Sequence, residues 1–297
     1  MSSRETEGEI DMILVTGATG NVGSEVVARL LASETKVRVL TRDAAKAARF
    51  GDQVEVARGD LGDAESVARA VIGVDAIFLM SGSPSPGAFG PIVAAAKAQG
   101  DLRIVLLSTC WAAPSMLVPD PITVGAWHAE MEDTARASGL RTTILRPSAF
   151  MTNALGWAGS IRAEGLVHNP FGDGRTAPIA PEDIAAVAAQ ALTDPARAGE
   201  TLELTGPQLL TAREQVDVLA RVLGVPIRCV DVPVEAAVHG MVSAGMPMQI
   251  AEAVGQSFEA VRAGRATTMT ETFERTTGQL PMTFEAWARK HAARFDR

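Results

Sequence analysis

A doubly wound α/β fold is what the sequence predicts: a mainly parallel sheet of about seven strands covered by helices, followed by a small, mostly helical C-terminal domain. Three observations carry this. Strand-length apolar runs alternate with amphipathic helical segments through the first half of the chain. The first of those runs, Ile13-Leu14-Val15, ends in glycines spaced T-G-x-x-G-x-x-G and gives way at once to a helical pattern. Beyond Asn153 the alternation stops. The chain of 297 residues suffices for one large α/β domain with a smaller one attached. The expected boundaries are 1–155 for the sheet domain, with 176–206 returning to it, and 156–297 for the C-terminal part.

The first strand, turn and helix define the chemistry. Val22, Val26, Val27, Leu30 and Leu31 share one helical face, so the helix starts directly behind the glycines. Gly17 suits a sharp turn, Gly20 lets a diphosphate approach the backbone, and Gly23 lets helix and strand pack closely. The helix N–H groups then face an anion, which makes Gly17, Thr19, Gly20, Asn21 and Val22 candidate cofactor contacts in a Rossmann-type sheet. The rival reading is an ordinary glycine turn.

Lys36 to Arg42 reads as the second strand, ending at Thr41. An acid near this end would grip the ribose hydroxyls of NAD, whereas an Arg accepts the 2′-phosphate of NADP. The place holds Thr41 and Arg42, with Lys46 one helical turn on, so NADP(H) is expected over NAD(H). Alternatively, Arg42 and Lys46 are simply a solvated helix start. Gln53 to Arg58 alternates as a third strand and turns at Asp60-Leu61, where Asp60 also suits a turn former or helix cap. A helix from Ala64 to Val71 leads to Asp75 to Met80, an apolar run fit for a strand covered on both faces. The following loop, with Ser81 and Gly82, leaves the carboxyl end of that strand, so Met80, Ser81 and Gly82 are placed beside the cofactor. Pro91 to Gln99 is the next helix and Arg103 to Thr109 the fifth strand; the helix over Pro121–Ser138 and the strand over Arg141–Pro147 follow.

Past Asn153, Gly172-Asp173-Gly174-Arg175 reads as a hairpin-like turn. Pro181 starts a helix whose Glu182 and Asp183 favour its dipole and are read as structural. Glu200 to Thr205 is a strand, and Thr211 caps a helix to Leu223 through a capping box with Glu214. Val234 to Gly264 is helical and Met-rich, fit either to cover an apolar ligand or for plain packing. A last helix spans Thr283 to Phe295 with Phe284, Trp287 and Ala288 inward.

Composition excludes several classes. A net charge of −8 argues against a nucleic-acid groove. No apolar run approaches a membrane span, and the polar N-terminus lacks a signal peptide's core, so a cytoplasmic protein without nucleic-acid or membrane partners is expected. Cys110 and Cys229 read as buried small hydrophobes in a reducing compartment, and no metal-ligand spacing is present.

The glycine turn, together with Leu145-Arg146-Pro147-Ser148-Ala149-Phe150-Met151-Thr152-Asn153 and Pro181-Glu182-Asp183-Ile184-Ala185, resembles the atypical short-chain dehydrogenase/reductases of the NmrA-like NAD(P)-binding family. The resemblance covers most of the chain. It implies that Asp60 and Leu61 touch the adenine, that Ser108 and Thr109 lie at the strand end where relatives carry a substrate-binding Ser, and that Pro147 and Phe150 border the nicotinamide. Arg146 is open to a structural ion pair beneath the sheet. Relatives also carry Tyr-x-x-x-Lys on the helix that here runs to Ser138. This chain has no tyrosine at all; Val124 stands at the Tyr position and His128 at the Lys position. His128 is therefore a candidate for ribose contact or proton transfer, with an i,i+4 pair to Glu132 as the alternative, and Thr109 is a second candidate catalytic group.

These readings converge on an NAD(P)H-dependent oxidoreductase acting on an apolar or aromatic, quinone-like or conjugated carbonyl substrate. Such an acceptor delocalises charge and so needs less protonation in the transition state. The alternative is an NmrA-like regulator that binds the dinucleotide without turnover and acts through a protein partner.

Overall fold

The computed structural model describes residues 12–80, 87, 89–116 and 122–296. The first strands are β1 (Met12–Thr16), β2 (Lys36–Thr41), β3 (Val54–Arg58), β4 (Ala76–Leu79), β5 (Arg103–Leu107) and β6 (Arg141–Pro147). They are followed by the short β7 (Leu166–Asn169) and β8 (Arg175–Thr176), by β9 (Thr201–Leu204), and by the short β10 (Leu210–Thr211) and β11 (Arg228–Asp231). Seven of them form one parallel sheet in the order β3-β2-β1-β4-β5-β6-β9. The order reverses between β1 and β4, the crevice position of a doubly wound sheet. β4 and β5 are buried at every residue, as apolar strands covered on both faces are, with Arg103 at the start of β5 the one charged residue among them.

The helices are α1 (Asn21–Ala32), α2 (Ala44–Ala47), α3 (Ala64–Ala70), α4 (Gly90–Gln99), α5 (Thr123–Ala137), α6 (Ala158–Glu164), α7 (Pro181–Thr193), α8 (Ala212–Leu223), α9 (Val234–Ser243), α10 (Met248–Arg262), α11 (Thr272–Thr277) and α12 (Phe284–Lys290). Asp43 and Asp63 cap α2 and α3 by accepting the N–H of Ala45 and Glu65. None of the helices is long and apolar enough to cross a membrane, among the described residues.

Two compact units emerge. One holds Met1–Leu107, Met131–Ile144 and Ala188–Glu200; the other holds Ser108–Glu130, Leu145–Val187 and Thr201–Arg297. The core of the first is Leu14, Ile77, Leu79, Ile92, Ile104 and their neighbours, with Leu14, Ile77 and Ile104 in register on one face of β1, β4 and β5. In the second, Trp287 is fully buried between Phe284 and Phe295, with ring centroids 5.6 and 6.5 Å away, and packs with Val216 and Leu219 of α8. The capping box of α8 is formed: the Thr211 hydroxyl accepts the Glu214 N–H, and the Glu214 carboxylate accepts the Thr211 N–H.

Three expectations need correction. The Gly172–Arg175 turn is not a hairpin, because β7 pairs with β11 in parallel and β8 pairs with β10 antiparallel. The buried Asn169 decides this by donating to the Gly172 carbonyl and to Asp231 at 2.9 and 2.7 Å, which ties the turn to β11. The last helix stops at Lys290 and continues only as a 3-10 turn, Ala292–Arg294. The two cysteines are half-exposed rather than buried. Burial of the thiol nevertheless pushes Cys110 up to about 11, and burial also raises Cys229, so neither sulfur is an activated nucleophile.

Candidate functional site

The first unit carries a glycine turn at the head of α1 that forms a small cradle. β1 ends at the buried Thr16, whose hydroxyl donates to the Met80 carbonyl at 2.9 Å and accepts the Met80 N–H at 2.8 Å, stitching the ends of β1 and β4 together. Gly17 follows at φ +61, a left-handed conformation natural to glycine, and a Cβ there would lie 2.6 Å from Met80 Cγ. The Gly20 N–H closes the turn on the Gly17 carbonyl at 2.9 Å. A Cβ on Gly23 would come 2.2 Å from that same carbonyl, so the helix can lie this close to the turn only as glycine. Gly20 is the N-cap of α1 and brings no side chain to the first-turn N–H groups, and no acid occupies that turn. The cradle thus suits a phosphate: its space is one that side chains would fill, and its donors point outward from a helix start. Thr19, Asn21 and Val22 belong to this turn, Val22 being buried beneath it.

Charged groups flank the cradle. Thr41 is buried, and its hydroxyl is occupied with Asp43, donating to the carbonyl at 3.1 Å and accepting the N–H at 3.2 Å. Arg42 is largely exposed, and its Nε stands 3.7 Å from Asp60 Oδ2. Lys46 is exposed on α2. Asp60 also accepts the Gly62 N–H at 2.8 Å, so it forms the turn after β3 that the residue type suits. Leu61 is half-buried against the core of this unit. Sequence reasoning missed Arg49, whose Nη2 donates to the Ala18 carbonyl in the glycine turn at 2.9 Å. Its distance in sequence from the turn hid it; the signal available was its place one further helical turn beyond Arg42 and Lys46. Ser81 and Gly82 lie outside the described residues.

In the second unit the strand-end candidates have local partners. Ser108 is buried, and its N–H donates to the Leu145 carbonyl at 2.8 Å. Thr109 caps the 3-10 turn Cys110–Ala112 by accepting the Trp111 N–H at 3.4 Å. Gly125 of α5 lies on this turn; a Cβ there would stand 2.2 Å from the Trp111 carbonyl, so glycine is what lets the helix approach. His128 is half-buried, with Nδ1 2.8 Å from the carbonyl of Val124. Opposite a carbonyl that nitrogen must donate, which fixes the neutral tautomer and leaves proton chemistry to Nε2. Val124 itself, at the place of the missing tyrosine, offers only its backbone oxygen. In the first unit Glu132 is fully buried and pairs with Arg136 at 3.1 Å. Pro147 ends β6, and Phe150, half-buried, bridges to Ile179. In the Met-rich segment Val234 to Gly264, Met241 is half-buried and Met248 and His239 are exposed, while Phe258 packs edge-on against Phe171 at 4.8 Å.

A cavity in this unit, unforeseen in the sequence, is lined by Cys110, Trp111, Arg146, Ser148, Glu203 and Arg265, among others. Its lining is drawn from the turn Cys110–Ala112, the end of β6 at Arg146 and Ser148, the end of β9 at Glu203 and Thr205, and the segment after α10 at Arg265. Arg265 is held by the Met116 carbonyl at 2.9 Å. These residues come from four separate segments, so no local pattern announces them. Glu182 and Asp183, read as structural, are so: Glu182 Oε1 accepts Lys290 at 2.7 Å and His291 at 2.9 Å, and Asp183 accepts the Met282 N–H at 2.8 Å.

Comparison with known proteins gives a consistent set. A model described as the NmrA-like family matches residues 9–288. The chain is 39% identical over 287 residues to a (4-alkanoyl-5-oxo-2,5-dihydrofuran-3-yl)methyl phosphate reductase of Streptomyces griseus, covering 96% of this chain and 99% of that one. It is 34% identical to an NAD(P)H azoreductase of Xenophilus azovorans, with the same coverage of both chains. Among solved structures, an NADPH-dependent quinone oxidoreductase of Escherichia coli complexed with NADPH superposes with a TM-score of 0.81 at 26% identity, covering 95% of this chain and 100% of that chain.

Proposed function

Because the chain belongs to the NmrA-like family, we propose that it is a cytoplasmic NAD(P)H-dependent oxidoreductase that prefers NADPH and reduces a conjugated, apolar or aromatic acceptor. The observation that carries the cofactor is the cradle at the head of α1, where Gly20 leaves the first-turn N–H groups without a side-chain cap and Gly17 and Gly23 stand where no Cβ fits. Gly17, Thr19, Gly20, Asn21 and Val22 hold the diphosphate, with Met80, Ser81 and Gly82 beside it; Thr41, Arg42 and Lys46 serve the adenosine end, and Asp60 and Leu61 the adenine. Pro147 and Phe150 are assigned to the nicotinamide end by the family resemblance, and Ser108 is taken as a further cofactor contact at the strand end where relatives carry a substrate-binding Ser. A bound nicotinamide supplies a hydride, and a proton must reach the other end of the reduced bond.

The chain lacks the usual proton donor, and this selects the acceptor. With Val124 at the tyrosine position, Thr109 and His128 are the polar groups left from the sequence candidates. The Thr109 oxygen caps a turn and is a poor acid. His128 gives its Nδ1 proton to the Val124 carbonyl, so the neutral ring presents Nε2 as an acceptor, suited to a ribose hydroxyl; it donates there only as imidazolium. An acceptor that spreads negative charge over a conjugated system tolerates protonation from solvent. The relatives accord with this. One takes a 2,5-dihydrofuran whose ring double bond is conjugated with carbonyl groups, and another reduces azo compounds. That they are reductases disfavours the cofactor-sensing alternative.

The test is steady-state oxidation of NADPH and NADH against a panel of enones, quinones and azo compounds, beside binding titrations. Consumption above the solvent rate, with tighter NADPH than NADH binding, supports the proposal. Tight cofactor binding with no consumption across the panel overturns it in favour of a binding protein.

A further inference from the structure

Arg49 is the residue on the adenosine side of the cradle that sequence reasoning passed over. It follows α2 in the 3-10 segment Ala48–Gln53, and its guanidinium reaches back to the glycine turn, where Nη2 donates to the Ala18 carbonyl at 2.9 Å. The same guanidinium lies over the Phe50 ring at 4.8 Å, which limits its rotation. A guanidinium carries five N–H donors, and beyond the Ala18 bond those of Arg49 meet no acceptor among the described residues. The residue is exposed although its bond to Ala18 is part-buried, so a single bond holds its guanidinium at the turn.

Position gives the function. In a doubly wound sheet the adenosine ribose lies between the glycine turn and the end of the second strand. Arg49 spans those two elements, because it leaves the segment after β2 and ends on the turn after β1. Arg42 leaves the same strand end but leans the other way, towards Asp60 after β3 at 3.7 Å, which partly neutralises it. Arg42 before α2, Lys46 within it and Arg49 after it place three cations in the one connection that follows β2. We propose that Arg49 is a specificity-determining residue for the 2′-phosphate of NADPH, with its Ala18 bond orienting the planar fork towards that phosphate. This rests on the proposed cofactor site.

The experiment is a set of equilibrium titrations of the full chain and its Arg49→Ala, Arg49→Gln and Arg49→Lys variants with NADPH, NADH, 2′,5′-ADP and 5′-ADP, beside thermal melts. If the inference holds, Arg49→Ala and Arg49→Gln weaken NADPH and 2′,5′-ADP by about 10- to 100-fold, the range for a charge-assisted contact, and leave NADH and 5′-ADP within about twofold. Arg49→Lys recovers part of the loss, and the salt dependence of NADPH binding flattens in the Ala variant. Equal losses for NADPH and NADH would show that Arg49 only anchors the glycine turn, and unchanged affinities would show that it does neither; both overturn the inference while the cofactor site stands. A parent that binds neither dinucleotide refutes the cofactor site and the inference with it. Should the Ala variant fail to fold, the Gln and Lys titrations decide.

Discussion

Substituting the three glycines of the cradle separately should divide folding from binding, because the structure gives each a different environment. Gly20 sits at φ −86, open to any residue, and a Cβ there would meet only the Gly17 carbonyl at 3.3 Å. Gly20→Val should therefore lower stability by less than about 1 kcal/mol, the scale of exchanging an N-cap residue, and shift Tm by no more than roughly 2–4 °C. Its side chain nevertheless enters the space of the diphosphate. We expect NADPH and NADH affinity to fall more than about 100-fold together, since the diphosphate contacts are charge-assisted and common to both. Gly17→Val behaves differently. The left-handed φ of +61 carries about 1–2 kcal/mol of strain for a residue with a Cβ. The new atom also lands 2.6 and 2.7 Å from Cγ and Sδ of Met80, whose backbone is held by Thr16. Gly23→Ala drives a Cβ to 2.2 Å from a backbone oxygen, which only a shift of α1 relieves. Those two variants should lose about 2–4 kcal/mol, within the range for strained or overpacked sites, and melt well below the parent. Thermal melts beside fluorescence titration with both cofactors measure all of this. A folded Gly20→Val that binds NADPH as the parent does would refute the cradle as the diphosphate site.

Arg42→Ala should weaken NADPH by about tenfold and spare NADH, at the low end for a contact to a charged group because the side chain is exposed and shares its charge with Asp60; equal losses in paired titrations would make Arg42 structural. For His128, whose Nδ1 is committed to the Val124 carbonyl, His128→Ala should raise the NADPH dissociation constant by about 3- to 10-fold, the worth of one hydrogen bond, with saturated turnover little changed. A fall of about 10²–10⁴-fold in saturated turnover would instead assign it the proton transfer. The Glu182 carboxyl, which burial alone would raise, is held below its ordinary range because hydrogen bonds from Lys290, its own backbone and His291 outweigh the burial. A depressed folded pKa stabilises above the unfolded value near 4.3 and is lost as pH falls through the folded value. Glu182→Gln should therefore melt lower than the parent at pH 7, with the gap closing below about pH 4.3 in a pH series of melts; a gap independent of pH would remove the ion cluster from the account of α12. Cys110, with its thiol pushed up to about 11, should alkylate with iodoacetamide far more slowly at pH 8 than a small free thiol, which mass mapping of the labelled peptide reads directly.

What the sequence by itself determined was everything set by short-range pattern. The apolar runs of β1, β4 and β5 read directly as strands, and that of β4 as one covered on both faces, because a side chain buried whichever way it points leaves an unbroken hydrophobic run. The glycine turn was legible because Gly17, by its left-handed φ, and Gly23, by its approach to the Gly17 carbonyl, stand where a Cβ does not fit. The capping box of α8 is spelled by two residues three apart. The missing tyrosine was legible as well, and with it the limit on proton chemistry. What only the tertiary structure decided lies where partners are distant in the chain. Asn169 reaches Asp231 across sixty-two positions, and this sends β7 to β11 rather than into a hairpin. Lys290 and His291 meet Glu182, so an acid that sequence reasoning assigned to a helix dipole became the anchor of the last helix. Arg49 meets Ala18 thirty-one positions away, and the cavity between Cys110, Arg146, Glu203 and Arg265 is assembled from separate strand ends and loops. Spacing along a chain reports which residues share a face of one element. It carries no record of which elements a folded backbone brings within hydrogen-bond reach, and a long flexible arginine or a buried carboxylate takes its role from that second fact.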